Sequence, residues 1–375
     1  MKQFRIPEGT RDLIMKECQI KRELQGRIEH VFDSYGYDEI ITPSIEYYQT
    51  YQTGFEQVKD EQMYKFFDHN GSILTLRMDM TVPIARVVTT KFKDQKAPFR
   101  FRYCADVFKV KEYFAGKRNE VSDCGIELIG LKDAESDLEI IVCAMEVMEA
   151  LNQASYTLEI GDVNFFMQAC RDLNFDDETI AALADLIDRK SMIELQNYLE
   201  AMNLPTQDMA FFLQLPWLCG EGDVLTQAEP YCFSDSLRAI LADLKAMDAQ
   251  LVALGYADRI TYDLGKVPHL NYYSGIIFEG FIEGVGTSVL SGGRYDTLLE
   301  KFGMAMPAIG FSVKLDYVVP LIKEITNKKD TLTLYYPPHK QVEALRKATE
   351  LRKHARVKLL PKDCEDITMV KEDVQ

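Results

Sequence analysis

Histidine and cysteine are the side chains best suited to acid–base, nucleophilic or metal chemistry near neutral pH, so their placement is informative. The five histidines (His30, His69, His269, His339, His354) lie far apart and form no H-E-x-x-H pair. Scattered histidines of this kind fill structural or surface roles, and none is assigned a function. The eight cysteines (Cys18, Cys104, Cys124, Cys143, Cys170, Cys219, Cys232, Cys364) include no C-x-x-C pair, which predicts ordinary reduced thiols. A G-x-x-x-x-G-K-[ST] loop, a G-x-G-x-x-G fingerprint and a G-x-S-x-G elbow are also absent from the sequence. No metal, cofactor or catalytic nucleophile is expected. A basic run, Lys109, Lys111, Lys117 and Arg118, could face an acidic partner, but a charge cluster between two strands reads first as a solvated hairpin. Taken singly, Asp79 and Glu127 read as solvated acids, Tyr272, Tyr273 and Tyr295 as strand aromatics, and Gly292-Gly293 as a bulge.

The elements that must position these residues follow from periodicity. Leu24, Ile28, Val31, Phe32 and Tyr35 form the stripe of an amphipathic helix that stops at Gly36. The segment Ile40 to Tyr48 is mixed, and Ile73 to Arg77 is a short strand entering a turn. Phe99 to Phe108 and Cys124 to Gly130 read as strands joined by a charged loop, Lys109 to Asp123. Leu138, Ile141, Val142, Met145 and Met148 define a second helix, with Asp133, Glu135 and Asp137 at its positive end. After a strand at Tyr156 to Ile160, residues of about 165–255 show helical patterns alone, the last running from a Ser234 or Ser236 cap to Gly255. Strand character returns at Arg259 to Leu264, Gly275 to Phe281, Thr287 to Leu290 and Ile309 to Val313, with a Gly284/Gly286 hairpin turn. The chain ends strand (Leu332 to Tyr336), helix (Gln341 to His354), strand (Val357 to Leu360).

Strands, then helices, then strands again predict an α+β fold with a largely antiparallel sheet rather than a doubly wound parallel one. The expected organisation is a core over 1–325, a helical insertion at about 165–255 and a short C-terminal α/β appendix over 331–375. The balance of 43 Lys+Arg against 59 Asp+Glu gives a net charge of −16, which opposes tight nucleic-acid binding. The N-terminus leads into charged residues, and no apolar run reaches the ~18 residues of a membrane span, so a cytoplasmic location is expected.

Six stretches together resemble class II histidyl-tRNA synthetases, in that family's order. They are Pro7-Glu8-Gly9-Thr10-Arg11-Asp12, Leu76-Arg77-Met78-Asp79-Met80-Thr81, Phe101-Arg102-Tyr103, Gly125-Ile126-Glu127-Leu128-Ile129-Gly130, Leu270-Asn271-Tyr272-Tyr273-Ser274-Gly275 and Gly292-Gly293-Arg294-Tyr295-Asp296. The resemblance covers about residues 1–325 and implies the class II sheet flanked by helices. It fails beyond, where a synthetase would continue into an anticodon-binding domain of about a hundred residues.

The resemblance further implies a histidine pocket. The positions receiving the ammonium fall on Asp79 and Thr81, with a third contact, usually Gln, on Asp123; the imidazole contacts fall on Glu127, Tyr273 and Tyr295. The ATP half is degenerate. An ATP-binding arginine in F-R-x-E falls on Lys109, the catalytic arginine on Pro268, and the last ATP arginine, in a stretch resembling G-[FL]-x-x-G-L-E-R, on Tyr317. With Pro268 uncharged, Arg86, a nearby lysine or a backbone amide is expected to take the carboxylate. A retained amino-acid pocket, altered ATP chemistry and no full anticodon domain look like the regulatory subunits of ATP phosphoribosyltransferase. That family membership would imply a non-catalytic chain that forms a homodimer within a hetero-octamer with a short-form catalytic subunit, takes L-histidine as feedback effector in histidine biosynthesis, and binds no tRNA. A working histidyl-tRNA synthetase and a free-standing histidine-binding protein are the alternatives.

Overall fold

The computed structural model describes residues 4–55, 60–110, 118–151, 155–267, 273–322 and 331–372, in two compact units, Met1–Leu321 and Ile322–Gln375. Among these residues the first unit has a nine-stranded sheet. In chain order its strands are β1 (Asp38–Glu39), β2 (Phe99–Phe108), β3 (Glu120–Ile129), β4 (Tyr156–Asp162), β5 (Cys219–Gly220), β6 (Ile260–Asp263), β7 (Ile276–Ile282), β8 (Leu290–Arg294) and β9 (Ala308–Lys314). Across the sheet the order is β1-β2-β3-β9-β8-β7-β4-β6-β5. Only β1/β2 and β4/β6 run parallel. The expected α+β class with a largely antiparallel sheet is therefore observed.

Alternation writes β2: Phe99, Phe101, Tyr103 and Val107 are buried while most residues between them are not. Its partner β3 lies in the sheet interior between β2 and β9, and is buried at nearly every position of its second half. Helix α1 (Lys16–Ser34) buries Ile20, Leu24, Ile28 and Phe32, a stripe worth about 1.5–3 kcal/mol per side chain. The Phe32 ring meets Phe311 of β9 edge-on at 5.8 Å, so α1 covers the sheet face opposite Gly310 and Ser312. A helix at Ala134–Ala150 packs against α1 and β9. The other face is left for a cavity.

A separate three-stranded sheet (Ile45–Tyr47, Ile73–Leu76, Lys65–Phe67) leads into helix α2 (Thr81–Lys91), and the turn between them carries Asp79. The stretch read as helical contains helices Val163–Asp172, Asp177–Asp188, Met192–Ala201, Thr206–Gln214 and Asp235–Ala253. Ser234 caps the last of these, its Oγ accepting from Leu237 N at 3.2 Å. In the second unit, Thr331–Tyr336 is flanked by Arg356–Pro361, parallel, and Thr368–Glu372, antiparallel, with helix Gln341–Leu351 burying Ala344 and Ala348.

Several sequence boundaries shift for physical reasons. Helix α1 starts eight residues before Leu24, because Ile20 extends the stripe inside a charged run. Strand β3 reaches back to Glu120, so Asp123 belongs to the strand, pairing with Ala105, and not to the loop. The helical stretch is interrupted by β5, two residues that alternation cannot reveal. Gly292 and Gly293 are paired in regular register between β7 and β9 instead of forming a bulge. Cys104 and Cys124 oppose each other across β2/β3 with Cα atoms 4.0 Å apart and are joined as a disulfide, contrary to the reading of eight reduced thiols. Sequence spacing carried no sign of that pairing, which only register creates. Among the described residues no helix is long and apolar enough to cross a membrane.

Candidate functional site

Directly opposed residues of neighbouring strands point to the same side of a sheet, so register alone assembles the floor of the site. Asp123, Gly125 and Glu127 of β3 oppose Lys314, Ser312 and Gly310 of β9. Ser312 and Gly310 in turn oppose Ser291 and Gly293 of β8. The glycines make the hollow: a Cβ on Gly310 would collide with Glu127 Oε2, and one on Gly293 would come within 2.9 Å of the Tyr273 ring. Asp79 and Thr81 close the wall from the start of α2, and Tyr295 from just beyond β8. All six residues read as a histidine pocket line one cavity of about 260 Å³.

Glu127 is 2% exposed and is held on both oxygens: Thr81 Oγ1 donates to Oε1 at 2.7 Å, and Tyr295 OH donates to Oε2. Asp79 Oδ1 accepts from Val82 N at 3.2 Å, while its Oδ2 is buried without a hydrogen bond among the described residues. Burial pushes the Glu127 carboxyl up to about 7 against the opposing pull of its Tyr295 and Thr81 hydrogen bonds. Burial likewise pushes Asp79 up to about 7, opposed by the Val82 N–H and the charge of Lys109 and assisted by that of Asp123. The Tyr273 phenol is raised by burial and then by Glu127, and stays neutral. An orphaned buried carboxylate oxygen beside a second acid calls for a cation. A compact ammonium ligand whose other end offers ring N–H and N: groups to a carboxylate and phenols satisfies both walls.

Supporting residues escaped the sequence reading. Tyr51 is fully buried; its hydroxyl accepts from Met78 N at 3.0 Å and donates to Asp79 O at 3.1 Å, fixing the turn that presents Asp79. Arg294, 6% exposed, bonds Asp137, Asp296 at 3.1 Å, Ser136 Oγ at 3.0 Å and Leu131 O at 3.1 Å, tying the end of β8, next to Tyr295, to Ala134–Ala150. No local pattern announces Tyr51; Arg294 stood inside a quoted stretch, and only its partners were hidden. Tyr103, Ser291, Ser312 and Lys314 also line the cavity.

The positions read as degenerate separate. Lys109 lines the cavity, Tyr317 lies on the one-turn helix Leu315–Val318, and Pro268 falls outside the described residues. The basic run is not uniformly solvated: Arg118 is paired with Asp316 at 3.0 Å, whereas Lys111 and Lys117 fall outside the described residues. Arg86, one of the groups expected to take the carboxylate, is not among the residues that line the cavity. Its Nη2 and Nε reach Glu46 Oε1 at 2.5 and 3.1 Å, and that acid, buried at 6% exposure, requires the pairing.

A family model described as Histidyl-tRNA synthetase matches residues 9–318. The ATP phosphoribosyltransferase regulatory subunit of Acetivibrio thermocellus is 39% identical over 313 residues, covering 84% of this chain and 75% of that protein. Its namesake in Bacillus mycoides is 35% identical over 353 residues, covering 92% and 84%. A solved structure described as an ATP phosphoribosyltransferase regulatory subunit/histidyl-tRNA synthetase from Bacillus halodurans aligns with a TM-score of 0.87 at 28% identity, over 98% of this chain and 95% of that one. Histidyl-tRNA synthetase from Nostoc aligns at 0.78 over 97% and 88%; at 21% identity that likeness concerns the fold.

Proposed function

The chain belongs to the family of ATP phosphoribosyltransferase regulatory subunits, built on the histidyl-tRNA synthetase fold, and from that membership we propose that it senses L-histidine for a partner subunit that performs the catalysis. The observation that carries the sensor role is the cavity in which Thr81 and Tyr295 hold Glu127 while Asp79 keeps a buried oxygen without a hydrogen bond among the described residues. In this reading Asp79, Thr81 and Asp123 receive the ammonium, and Glu127, Tyr273 and Tyr295 the imidazole. Thr81 acts partly through Glu127, since its hydroxyl proton is already committed there.

The partner is the short-form catalytic subunit, and the assembly is a cytoplasmic hetero-octamer containing dimers of this chain. Histidine inhibits when it binds one state of that assembly more tightly than another, which requires differential contacts at the pocket. Support for a non-catalytic role comes from Lys109, Pro268 and Tyr317, none of which offers the planar fork with which arginine grips phosphate. Mixing the purified chain with the short catalytic subunit tests the reading. The two should copurify, and phosphoribosyl transfer to ATP should require both; a clean homodimer that leaves transfer unchanged would refute the proposal.

A further inference from the structure

An amino acid bound by these six side chains still lacks a complement for its carboxylate, which inside an acidic cavity requires a cation. Most cations around the sheet are already committed. Arg77 donates to Asp106 O at 2.7 Å and Thr42 O at 2.9 Å. Arg86 is held by Glu46, and Arg118 by Asp316. Lys266 lies between Glu159 at 2.9 Å and Glu279 at 2.5 Å. Lys109, which lines the cavity, already has an interaction of its own, and its charge favours ionised Asp79.

Lys314 is different. It opposes Asp123 in register and shares the floor face with Ser312 and Gly310. Lys109, Tyr273, Ser291 and Lys314 all line both the 260 Å³ cavity and the adjoining one of about 500 Å³, and of the two cations in that shared wall Lys314 is the one on the floor strand β9. Among the described residues it forms no ion pair, although its charge is felt by Glu279, which is paired with Lys266. In the motif G-[FL]-x-x-G-L-E-R this position is glycine, so the ammonium has no counterpart there.

We infer that Lys314 Nζ anchors the carboxylate of the amino-acid ligand, making this residue the determinant that separates an amino acid from its decarboxylated or reduced analogues. The inference rests on the cavity being a histidine pocket. With the ring against Glu127 and the ammonium near Asp79 and Asp123, the carboxylate faces the mouth, where a lysine on the next strand meets it. A lysine gives a point charge instead of a two-pronged grip, and that suffices for a group held at its other two ends.

Calorimetric titration of the full-length chain with L-histidine and with L-histidinol, which keeps amine and imidazole and replaces the carboxylate by a hydroxymethyl group, tests this. The unaltered chain should prefer histidine by roughly ten- to a hundredfold. Lys314→Met should weaken histidine by about that factor and leave histidinol unchanged, while Lys314→Arg retains the preference. Histidine binding unaffected by Lys314→Met would overturn the assignment, as would equal loss of both ligands, which would mark Lys314 as a support of the fold. An unaltered chain that binds neither ligand would instead remove the histidine-pocket reading, and this assignment with it.

Discussion

Burial sets the behaviour of Asp79 and Glu127, and it gives them a pH dependence with a definite sign. Both are raised to about 7 in the folded chain, above the ordinary carboxylate range of roughly 4. The folded state therefore binds more protons than the unfolded one between about pH 4 and pH 7, and its stability falls as pH rises through that window. Asp79→Asn removes one such charge. In the unliganded chain its melting temperature relative to the unaltered protein should become more favourable from pH 5 to pH 8, and histidine should protect it less. A difference that stays constant across that range would contradict the burial account. Of the six residues proposed for the pocket, Asp79, Thr81, Glu127, Tyr273 and Tyr295 stand in the stretches that resemble the synthetases, and Asp123 lies just before one of them. What was not legible is how they engage one another: that Thr81 spends its proton on Glu127, or that Tyr51 sets the Asp79 turn, depends on atoms 46 and 28 residues away.

Strands β3, β8 and β9 turn those identities into a cavity, because register puts glycines beside the acids. Gly310→Ala places a methyl group against Glu127 Oε2 and the Ile126 carbonyl, where the backbone of a central strand cannot retreat. The expected result is a stability loss of about 1–3 kcal/mol by overpacking, together with loss of histidine binding, read by denaturant titration and calorimetry. An alanine variant that binds histidine normally would show that the glycine row does not shape the pocket. At this scale β2 was legible, since Phe99, Phe101, Tyr103 and Val107 keep the two-residue period despite its lapse at Ala105. The start of β3 was hidden because Glu120 to Asp123 are mostly polar, and β5 because a two-residue strand has no period. The Cys104–Cys124 pair was hidden for the same reason, being a product of register alone.

The molecule as a whole carries a synthetase-like first unit, a net charge of −16 and a 54-residue second unit. Its fold class was legible from the order of elements. The proposed loss of aminoacylation rests on three separate positions, and removing even one transition-state charge donor costs ~10²–10³ in rate. Histidine-dependent ATP–pyrophosphate exchange should therefore be undetectable; exchange at a synthetase-like rate would restore the working-synthetase alternative. The central claim, that this cavity is the sensor of a biosynthetic complex, is tested most directly by histidine dose–response of reconstituted phosphoribosyltransferase carrying Glu127→Ala. The charge-assisted contact removed is worth ~1.5–3 kcal/mol. The variant complex should keep its uninhibited activity and require roughly ten- to more than a hundredfold more histidine for inhibition. Inhibition at the same histidine concentration as the unaltered complex would place the sensor elsewhere.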